Sequence, residues 1–419
     1  MTDYGMVIIG AGETGARAAS ELRSLGWTGN ITLIGEEAHA PYERPPLSKQ
    51  ALQEAAEPSP AFILDHKKLE ELRILWKKEN KATSIDKGKH MIKLENGESI
   101  FYERLLLATG AKPRTLPTEL FEPRPGSIID TPLVHYLRSF SDALSLRKRL
   151  QPGKRIIVIG GGFIGLEVAA SASACGCEVT VIEAGPRLLM RGVPEAIASI
   201  VEARHRSAGA RIQLGVGISQ VSSIGDEKIV TLANGEALVC DTIIAGIGAI
   251  PETTLAAESG LVIENGIRAD NRLATSDPDI FAAGDCCSFP HPLYDGARIR
   301  LEAWRAAQDQ GTFAAASMLG AKESYDAVPW FWSDQFELAL QVTGLPSAGT
   351  VTVQRSLGSA GELFFHFTDE HRLIAASGIG SPGIAKEIRL AEKLIAARSI
   401  LEPAQLARPD VKLKALLNA

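Results

Sequence analysis

Cysteine pairs of the kind that carry redox chemistry are missing from this sequence. Its cysteines are Cys175, Cys177, Cys240, Cys286 and Cys287, and none of them has the spacing that is typical of a redox-active dithiol. Cys286 and Cys287 are adjacent, so a disulfide between them would be strained. We therefore expect free thiols in a reducing cytosol.

The sequence also lacks long apolar runs, a strong charge excess and clustered metal ligands. Glycines and charges interrupt the apolar stretches too often for a membrane span, and the first residues lack the basic segment of a secretion signal. The formal net charge of −6 gives no nucleic-acid or membrane signature. No histidine and cysteine cluster has the spacing of a metal site. We expect a cytoplasmic protein that binds no metal, nucleic acid or membrane.

A nucleotide-binding phrase occurs twice in the chain. The first copy is Val7-Ile-Ile-Gly10-Ala-Gly12-Glu-Thr-Gly15, and the second is Val158-Ile-Gly160-Gly-Gly162-Phe-Ile-Gly165. Each apolar run predicts a strand, and each glycine turn opens an alanine-rich helix. Glycine lets the backbone approach a diphosphate, and the helix N-terminus offers free N–H groups to it. Two copies in this context indicate that the chain binds two dinucleotides.

The repeat extends beyond the glycines and predicts the domain organisation. The stretch 96–113 resembles 234–251, and each contains a late apolar strand that ends in glycine. A third strand, Ile280-Phe-Ala-Ala-Gly284-Asp285, follows the second module and is expected to return to the first. We predict an α/β protein with two Rossmann-like domains, the second inserted in the first, plus a C-terminal α+β domain. The expected boundaries are 1–114 with 249–325, then 115–248, then 326–419.

Each Rossmann-like unit has an acid after its second strand. Glu36 and Glu37 follow the first such strand, and Glu183 ends the second. A carboxylate there can accept hydrogen bonds from both ribose hydroxyls and would repel a 2′-phosphate. Glu183 therefore favours NADH over NADPH, although Arg187 and Arg191 follow it closely. Asp285 lies at the end of the third strand, where a carboxylate can hold the ribityl chain of a flavin.

These phrases resemble the flavoprotein disulfide-reductase superfamily, and more narrowly the FAD-dependent ferredoxin reductases of Rieske oxygenase and cytochrome P450 systems. The similarity runs through nearly the whole chain. It is carried by Pro41-Tyr-Glu-Arg44-Pro-Pro-Leu-Ser-Lys49, Ala108-Thr-Gly110, Gly160–Glu167, Gly284-Asp285, Arg300-Leu-Glu302-Ala-Trp304 and Pro329-Trp-Phe-Trp-Ser-Asp-Gln335. The resemblance implies FAD in the first module and NADH in the second. It also implies a [2Fe–2S] ferredoxin as electron acceptor, which would feed a Rieske oxygenase or a cytochrome P450.

Lys49 separates this chain from thiol-dependent members of the superfamily, which have a redox cysteine in this region. Without a thiol there, the covalent route from flavin to a disulfide or peroxide is closed. A lysine can place positive charge beside the flavin, and the resemblance pairs it with Glu167. A buried lysine and a buried glutamate are each costly alone and tolerable together. The alternative for Lys49 is an ordinary surface lysine.

The candidate site residues follow from the motifs and the resemblance together. Lys49 and Glu167 are the expected catalytic pair. The residues expected to bind FAD are Gly10, Gly12, Thr14, Gly15, Glu36, Arg44, Lys49, Ala82, Thr109, Arg138, Gly284, Asp285 and Trp304. Those expected to bind NAD are Gly160, Gly162, Ile164, Gly165, Glu167, Glu183, Arg191 and Gly248. Trp330 and Trp332 fit core packing and a flavin-edge role equally well.

Two other functions fit the same motifs. One is an NADH oxidase or quinone reductase that uses no thiol, and the other is a redox-signalling flavoprotein resembling apoptosis-inducing factor. From His371 onward the chain has a local excess of basic residues, among them Arg389 and Lys393. That excess fits either a solvated helix face or a docking patch for an acidic ferredoxin.

Overall fold

The computed structural model describes residues 4–54, 56–121, 133–190 and 192–417. Its helices in chain order are α1 (Glu13–Ser24), α2 (Gln50–Gln53), α3 (His66–Glu71), α4 (Phe140–Arg147), α5 (Phe163–Ala174), α6 (Glu195–Ser207), α7 (Thr254–Glu258), α8 (Trp304–Met318), α9 (Ile384–Ala396), α10 (Pro403–Ala407) and α11 (Leu413–Leu416). Short 3-10 turns cover Pro45–Ser48, Thr118–Leu120, Pro292–Tyr294, Pro346–Ala348 and Gly358–Ala360.

The strands of the first part of the chain are β1 (Gly5–Ile9), β2 (Ile31–Ile34), β3 (Ile74–Lys77), β4 (Ala82–Asp86), β5 (Met91–Leu94), β6 (Ser99–Leu107), β7 (Ala111–Pro113), β8 (Val134–His135), β9 (Arg155–Ile159), β10 (Glu178–Glu183), β11 (Arg211–Leu214), β12 (Ile218–Ile224) and β13 (Glu227–Leu232). The remaining strands are β14 (Ala237–Cys240), β15 (Thr242–Ala245), β16 (Ala249–Pro251), β17 (Ile267–Arg268), β18 (Ile280–Ala282), β19 (Cys287–Pro290), β20 (Arg298–Ile299), β21 (Trp330–Gln335), β22 (Leu338–Gly344), β23 (Val351–Ser356), β24 (Gly361–Phe367) and β25 (Leu373–Gly380).

The chain divides into two compact units. The first contains residues 1–44, 60–112 and 250–330, and the second contains residues 45–59, 113–249 and 331–419. The short segment that holds Lys49 thus belongs to the same unit as the second glycine turn. The domain boundaries expected from the sequence stay a prediction.

The first unit is built on a sheet whose central strands are parallel. Its order is β3-β2-β1-β6-β5-β4, and β18 also pairs with β6. Strands β3, β2, β1, β6 and β18 run parallel, so their carboxyl ends lie at one edge. Strand β18 aligns Ile280 with Leu105 and Ala282 with Leu107. This pairing confirms that the chain returns to the first sheet after the second module.

The second unit has its own parallel sheet, in the order β11-β10-β9-β15-β8. Its central strands β9 and β15 are almost wholly apolar and buried, as expected for parallel strands covered on both faces. An antiparallel sheet, β12-β13-β14, packs its buried residues Val221, Val230 and Leu232 into the same core. The mixed α/β class with two Rossmann-like sheets is therefore confirmed.

The C-terminal part of the second unit is an antiparallel sheet, β21-β22-β25-β24-β23, with helix α9 packed on β22 and β25. Helix α9 buries Ile384, Ile388, Ala391, Leu394 and Ile395, which recur at the three- and four-residue spacing of one helix face. The opposite face exposes Lys386, Arg389 and Lys393. Within the described residues, we find no helix whose length and apolar character would let it cross a membrane.

Candidate functional site

The first glycine turn connects β1 to α1 and leaves open space at the helix N-terminus. Gly10 has φ +112°, and a side chain there would collide with the carbonyl oxygen of Ala108. At Gly12, the N-cap of α1, an added Cβ would meet no atom within 4 Å. Gly15 packs directly against the backbone of Gly10. Gly10 and Gly15 therefore let the turn close, while Gly12 leaves room before unpaired N–H groups that suit a diphosphate.

A second turn of the first unit lies against this glycine turn. Gly284 has φ +81°, and a side chain there would collide with the hydroxyl of the buried Thr14. The Gly284 N–H donates to Oε1 of Gln310 at 2.7 Å, and Gln310 is fully buried. This hydrogen bond fixes the turn that carries Asp285 close to the start of α1. Sequence reasoning missed Gln310, because nothing in its local pattern on α8 indicates that it faces this turn.

The acids after β2 have different surroundings. Glu36 is exposed, whereas Glu37 accepts a hydrogen bond from the Tyr42 hydroxyl at 2.5 Å and one from Arg44 Nη2 at 2.7 Å. The Arg44 guanidinium also lies 5.3 Å from the centre of the Tyr42 ring. Glu37 thus holds Arg44 in place, and Glu36 stays available at the strand end. The role of Arg44 at a diphosphate remains a prediction.

The other residues expected at the flavin are spread over several elements. The Thr109 hydroxyl donates to the carbonyl oxygen of Glu252 at 2.5 Å. Ala82 is buried at the start of β4, and Trp304 is the half-buried first residue of α8. Arg138 lies in the second unit before α4, where its backbone N–H donates to Asp142 at 3.1 Å. Their contacts to a cofactor stay predictions.

The second glycine turn has the same backbone as the first and a more firmly held acid. Gly160 has φ +106°, and an added side chain would collide with the carbonyl oxygen of Gly246. Glu183, at the end of β10, accepts the N–H of Gly161 at 2.7 Å and the N–H of Gly185 at 2.6 Å. Two backbone donors fix the Glu183 carboxylate beside the turn. Its remaining lone pairs can still accept hydrogen bonds from a ribose.

The remaining residues expected to bind NAD surround this turn in the second unit. At Gly162, the N-cap of α5, the nearest atom to an added Cβ is 4.0 Å away, and Gly165 packs against the backbone of Gly160. Ile164 is 49% exposed on the first turn of α5. Gly248 has φ +108°, with open space around it. These positions leave room for a ligand at the N-terminus of α5.

The arginines after Glu183 bear on whether the site accepts a 2′-phosphate. Both terminal nitrogens of Arg187 donate to backbone carbonyls, to Leu188 at 3.0 Å and to Met190 and Val193 at 3.2 Å. These bonds hold the guanidinium against the loop that follows it. Arg191 lies outside the described residues. Arg187 is therefore engaged within its own loop rather than extended toward a nucleotide.

Lys49 is held between two carboxylates in the second unit. Its Nζ lies 2.5 Å from Oδ2 of Asp334 and 3.6 Å from Oε1 of Glu167. The lysine side chain is 14% exposed, so it is not an ordinary surface lysine. It also lies 5.3 Å from the centre of the Trp332 ring. The structure thus brings the two expected catalytic residues together and adds Asp334 as the nearer partner.

The Glu167 carboxylate accepts hydrogen bonds from two buried serines as well. Ser48 Oγ donates to Oε2 at 2.5 Å, and Ser333 Oγ donates to Oε1 at 2.6 Å. Burial raises the pKa of Glu167, while Lys49 and the two hydroxyls act to lower it. The two hydroxyl donors and the nearby ammonium group favour the ionised state of Glu167, and its burial opposes it.

A chain of buried polar groups continues from Ser333. Gln335 Nε2 donates to Ser333 Oγ at 2.9 Å, and Gln335 Oε1 lies 2.9 Å from Nε2 of His205. Both Gln335 and His205 are fully buried, and burial lowers the pKa of His205. Ser333 and Gln335 belong to the phrase Pro329–Gln335, and the sequence alone assigns neither of them a role. The two residues alternate on β21 and therefore lie on the same, buried face of the strand. This alternation is the sequence pattern that could have predicted a buried polar pair.

All five cysteines lie among the described residues and are free. Cys240, Cys286 and Cys287 are buried, and Cys175 and Cys177 are partly buried. Burial raises the pKa of the Cys177 thiol to about 11 and that of Cys240 to about 12. Such thiols are poor nucleophiles. The expectation of free thiols is confirmed, and the arrangement suits cofactor chemistry positioned by charge instead of thiol chemistry.

Comparison with known proteins finds matches to two families. Residues 4–311 match the family described as pyridine nucleotide-disulphide oxidoreductase, and residues 330–417 match the family described as reductase C-terminal. The chain is 37% identical over 414 residues to the anthranilate 1,2-dioxygenase system ferredoxin–NAD(+) reductase component of Burkholderia cepacia, covering 98% of each protein. It is also 37% identical over 378 residues to a rubredoxin–NAD(+) reductase of Pseudomonas putida, covering 90% of this chain and 96% of that one.

A solved structure extends the similarity to three dimensions. The crystal structure of the covalent putidaredoxin reductase–putidaredoxin complex matches with a TM-score of 0.92 and 33% identity. The match covers 100% of this chain and 99% of the other. Fold and sequence similarity therefore extend over the same full length.

Proposed function

Because the chain belongs to the pyridine nucleotide-disulphide oxidoreductase family, we propose that it is an NADH-dependent reductase that passes electrons through FAD to a [2Fe–2S] ferredoxin serving an oxygenase. It is an oxidoreductase of a family that uses FAD and NAD(H). The observation that carries the proposal is Lys49, which the sequence resemblance places in the region where thiol-dependent members of the superfamily have a redox cysteine. The two carboxylates beside Lys49, of which Glu167 is buried, hold a fixed charge where a nucleophile would otherwise act.

The first unit fits FAD. The N-terminus of α1 has open space in front of Gly12, and the turn at Gly284 brings Asp285 toward the same helix start. Gly12 and its neighbours would hold the diphosphate, Glu36 the ribose and Asp285 the ribityl chain. Bound FAD would take a hydride from NADH and give up two electrons singly, which is chemistry that side chains cannot supply.

The second unit fits NADH better than NADPH. Backbone N–H groups of Gly161 and Gly185 hold the Glu183 carboxylate at the strand end. That fixed negative charge would accept ribose hydroxyls and repel a 2′-phosphate. Arg187, which could offset the repulsion, is bonded to carbonyls of its own loop. We expect a preference for NADH because the carboxylate of Glu183 is fixed at the strand end and the guanidinium of Arg187 is bonded within its own loop.

The roles of Lys49 and Glu167 in this reaction are positional and electrostatic. Lys49 is oriented by Asp334 and Glu167, which keep its ammonium group in one place without a mobile counterion. Glu167 is fixed in turn by the hydroxyls of Ser48 and Ser333. A preorganised charge of this kind stabilises charge that develops nearby at no cost of reorganisation. Cytoplasmic location belongs to the same proposal.

The basic face of α9 supports an acidic protein partner. Lys386, Arg389 and Lys393 are exposed along one side of that helix. A positive surface speeds encounter with a negatively charged partner and does so less at high salt. An acidic ferredoxin suits this surface, and a neutral quinone or oxygen gains nothing from it.

Stopped-flow reduction of alternative acceptors tests the proposed function. The purified holoenzyme is reduced with NADH and then mixed with a [2Fe–2S] ferredoxin, rubredoxin, a quinone or oxygen. We expect the ferredoxin to reoxidise the enzyme fastest, with reduced ferredoxin formed in two one-electron steps. Fast reoxidation by oxygen or quinone and none by any ferredoxin would establish the oxidase alternative. If NADH binding changed only the assembly of the protein, the signalling alternative would replace the proposal.

A further inference from the structure

The buried hydrogen bonds between His205 and Glu167 have a fixed direction. A carboxylate can only accept, so the single hydroxyl proton of Ser333 points at Glu167. Ser333 must then accept from Gln335, whose NH2 group lies 2.9 Å away. The amide oxygen of Gln335 consequently faces His205 and requires a proton on its Nε2. Every donor in this chain of four residues points toward Glu167.

The reverse direction is disfavoured at the histidine end of this chain of residues. If Glu167 were protonated and donated to Ser333, each bond would turn around, and His205 would accept at Nε2. The imidazole proton would then lie on Nδ1, which is buried and has no hydrogen-bond partner in the described part of the chain. Buried N–H groups without an acceptor are rarer in folded proteins than under-satisfied acceptors, so the bare ring nitrogen is the smaller loss. The protein therefore favours the direction in which Ser333 donates to Glu167, and this hydrogen bond lowers the pKa of the Glu167 carboxyl.

The neighbouring charges act on Glu167 together with this hydrogen bond. Burial raises the pKa of Glu167 most, the Lys49 ammonium group and the serine hydroxyls lower it, and Asp334 raises it. On the histidine side, Arg204 is the charged neighbour, and its guanidinium is bound to Glu337 and lies over the Phe336 ring. Arg204 and the burial of His205 both oppose a second proton on that ring. The imidazole thus stays a neutral donor.

We propose that His205 is a positioning residue that acts through Gln335 and Ser333 to keep Glu167 a carboxylate, and so to keep it paired with Lys49. Neither His205 nor Gln335 touches the groups expected to react. Their effect is transmitted by the orientation of an amide and a hydroxyl. The role of the Lys49–Glu167 pair in the reaction rests on the proposed function. The effect of His205 on the ionisation of Glu167 does not depend on that function.

Infrared titration of the purified protein tests the relay without NADH or an acceptor. The carboxylic-acid C=O band of Glu167 is identified as the band that Glu167→Gln removes. We expect Ser333→Ala, and to a smaller extent His205→Leu, to move the pH midpoint of that band upward, by about one pH unit for Ser333→Ala, because each weakens donation to the carboxylate. His205→Gln keeps an N–H donor and should leave the midpoint near the wild-type value.

A double mutant separates the relay from a general effect on folding. In a Ser333→Ala background, His205→Leu should cause no further shift, because the connecting hydroxyl is gone. An equal shift with and without Ser333, or an unchanged midpoint in His205→Leu, overturns the proposal. Should His205→Leu not fold, Gln335→Met breaks the same relay and carries the same expectation.

The rate of flavin reduction by NADH gives a second readout. Its pH profile should move in the same direction as the infrared midpoint in His205→Leu. An infrared shift with an unmoved rate profile supports the relay and contradicts the role proposed for the pair. The two failures are therefore distinguishable.

Discussion

The first glycine turn is followed by an exposed acid, Glu36, whereas the second is closed by Glu183, which two backbone N–H groups hold in place. The turns themselves have nearly the same backbone, with φ +112° at Gly10 and +106° at Gly160. The first turn is also supported by a later segment, because Gly284 packs on Thr14 and is bonded to Gln310. Glu183, by comparison, is fixed by the backbone N–H groups of Gly161 and Gly185.

This difference shows how one turn can serve two kinds of binding. A ligand that must stay bound through every catalytic cycle benefits from contacts supplied by distant segments, such as the Asp285 turn. A ligand that enters and leaves benefits from one prearranged acid, because less ordering is needed at each encounter. The arrangement is the one expected for the proposed resident FAD in the first unit and the proposed exchanging NADH in the second.

The largest effects on cofactor binding should come from placing a side chain in one glycine turn at a time. Gly160→Ala places a side chain at positive φ and against the Gly246 carbonyl, while Gly10→Ala does the same against Ala108. Backbone strain of this kind costs on the order of 1–3 kcal/mol. We expect Gly160→Ala to keep the flavin absorbance but lower kcat/KM for NADH at least about tenfold. Gly10→Ala should lose the flavin itself. A Gly160→Ala protein that purified without flavin would contradict the division between the turns.

Asp285→Ala should have the next largest effect and should act on the flavin alone. Loss of a charge-assisted hydrogen bond costs roughly 1.5–3 kcal/mol, or about a tenfold to hundredfold weaker flavin affinity. The affinity is measured by fluorescence during reconstitution of the apoprotein with FAD. Asp326→Ala, at an exposed position of the same unit, is the matched control and should not change it. Unchanged affinity in Asp285→Ala would remove this residue from the flavin site.

Glu183→Gln should alter the choice of nicotinamide cofactor by a smaller factor. The neutral amide no longer repels a 2′-phosphate, so the ratio of kcat/KM for NADH over NADPH should fall, by about tenfold. Glu36→Gln is the matched change in the other unit and should leave that ratio untouched. A wild-type preference for NADPH, or equal responses to the two substitutions, would show that Glu183 does not select the cofactor.

The smallest effect should come from the exposed face of α9. Neutralising Arg389 and Lys393 together should slow ferredoxin reduction a fewfold at low salt, because the screening length is about 10 Å at 0.1 M and about 3 Å at 1 M. Wild-type and variant rates should converge as salt rises. Flavin reduction by NADH serves as the internal control and should be equal in both. A variant that shows the full wild-type salt dependence would place the docking surface elsewhere.

Much of the fold could be predicted because it follows from local patterns. The buried runs before Gly10 and Gly160 have the length of parallel strands, and the glycines fix what must follow them. Even the return of β18 to the first sheet could be inferred, since its apolar run ends in Gly284-Asp285 and follows the second module. Each of these inferences needs only neighbouring residues.

The side-chain network around Lys49 could not be predicted in full for the opposite reason. Asp334 is its nearer partner, yet the two residues are far apart in sequence, and several acids would have been equally plausible. The hydrogen bonds from Ser333 through Gln335 to His205 connect strand β21 with helix α6. Such contacts depend on how distant segments pack in the folded chain. The periodicity of the sequence predicts helices and strands but not which side chains of different elements meet.

The return of β18 to the first sheet also sets an order of events during synthesis. The strands of the second Rossmann-like sheet, β8 to β15, leave the ribosome before β18 does, so that sheet can close while the first still lacks a strand. Asp285 emerges later still. A nascent chain can therefore complete the sheet proposed to bind the nicotinamide cofactor before it has every segment proposed to hold a flavin.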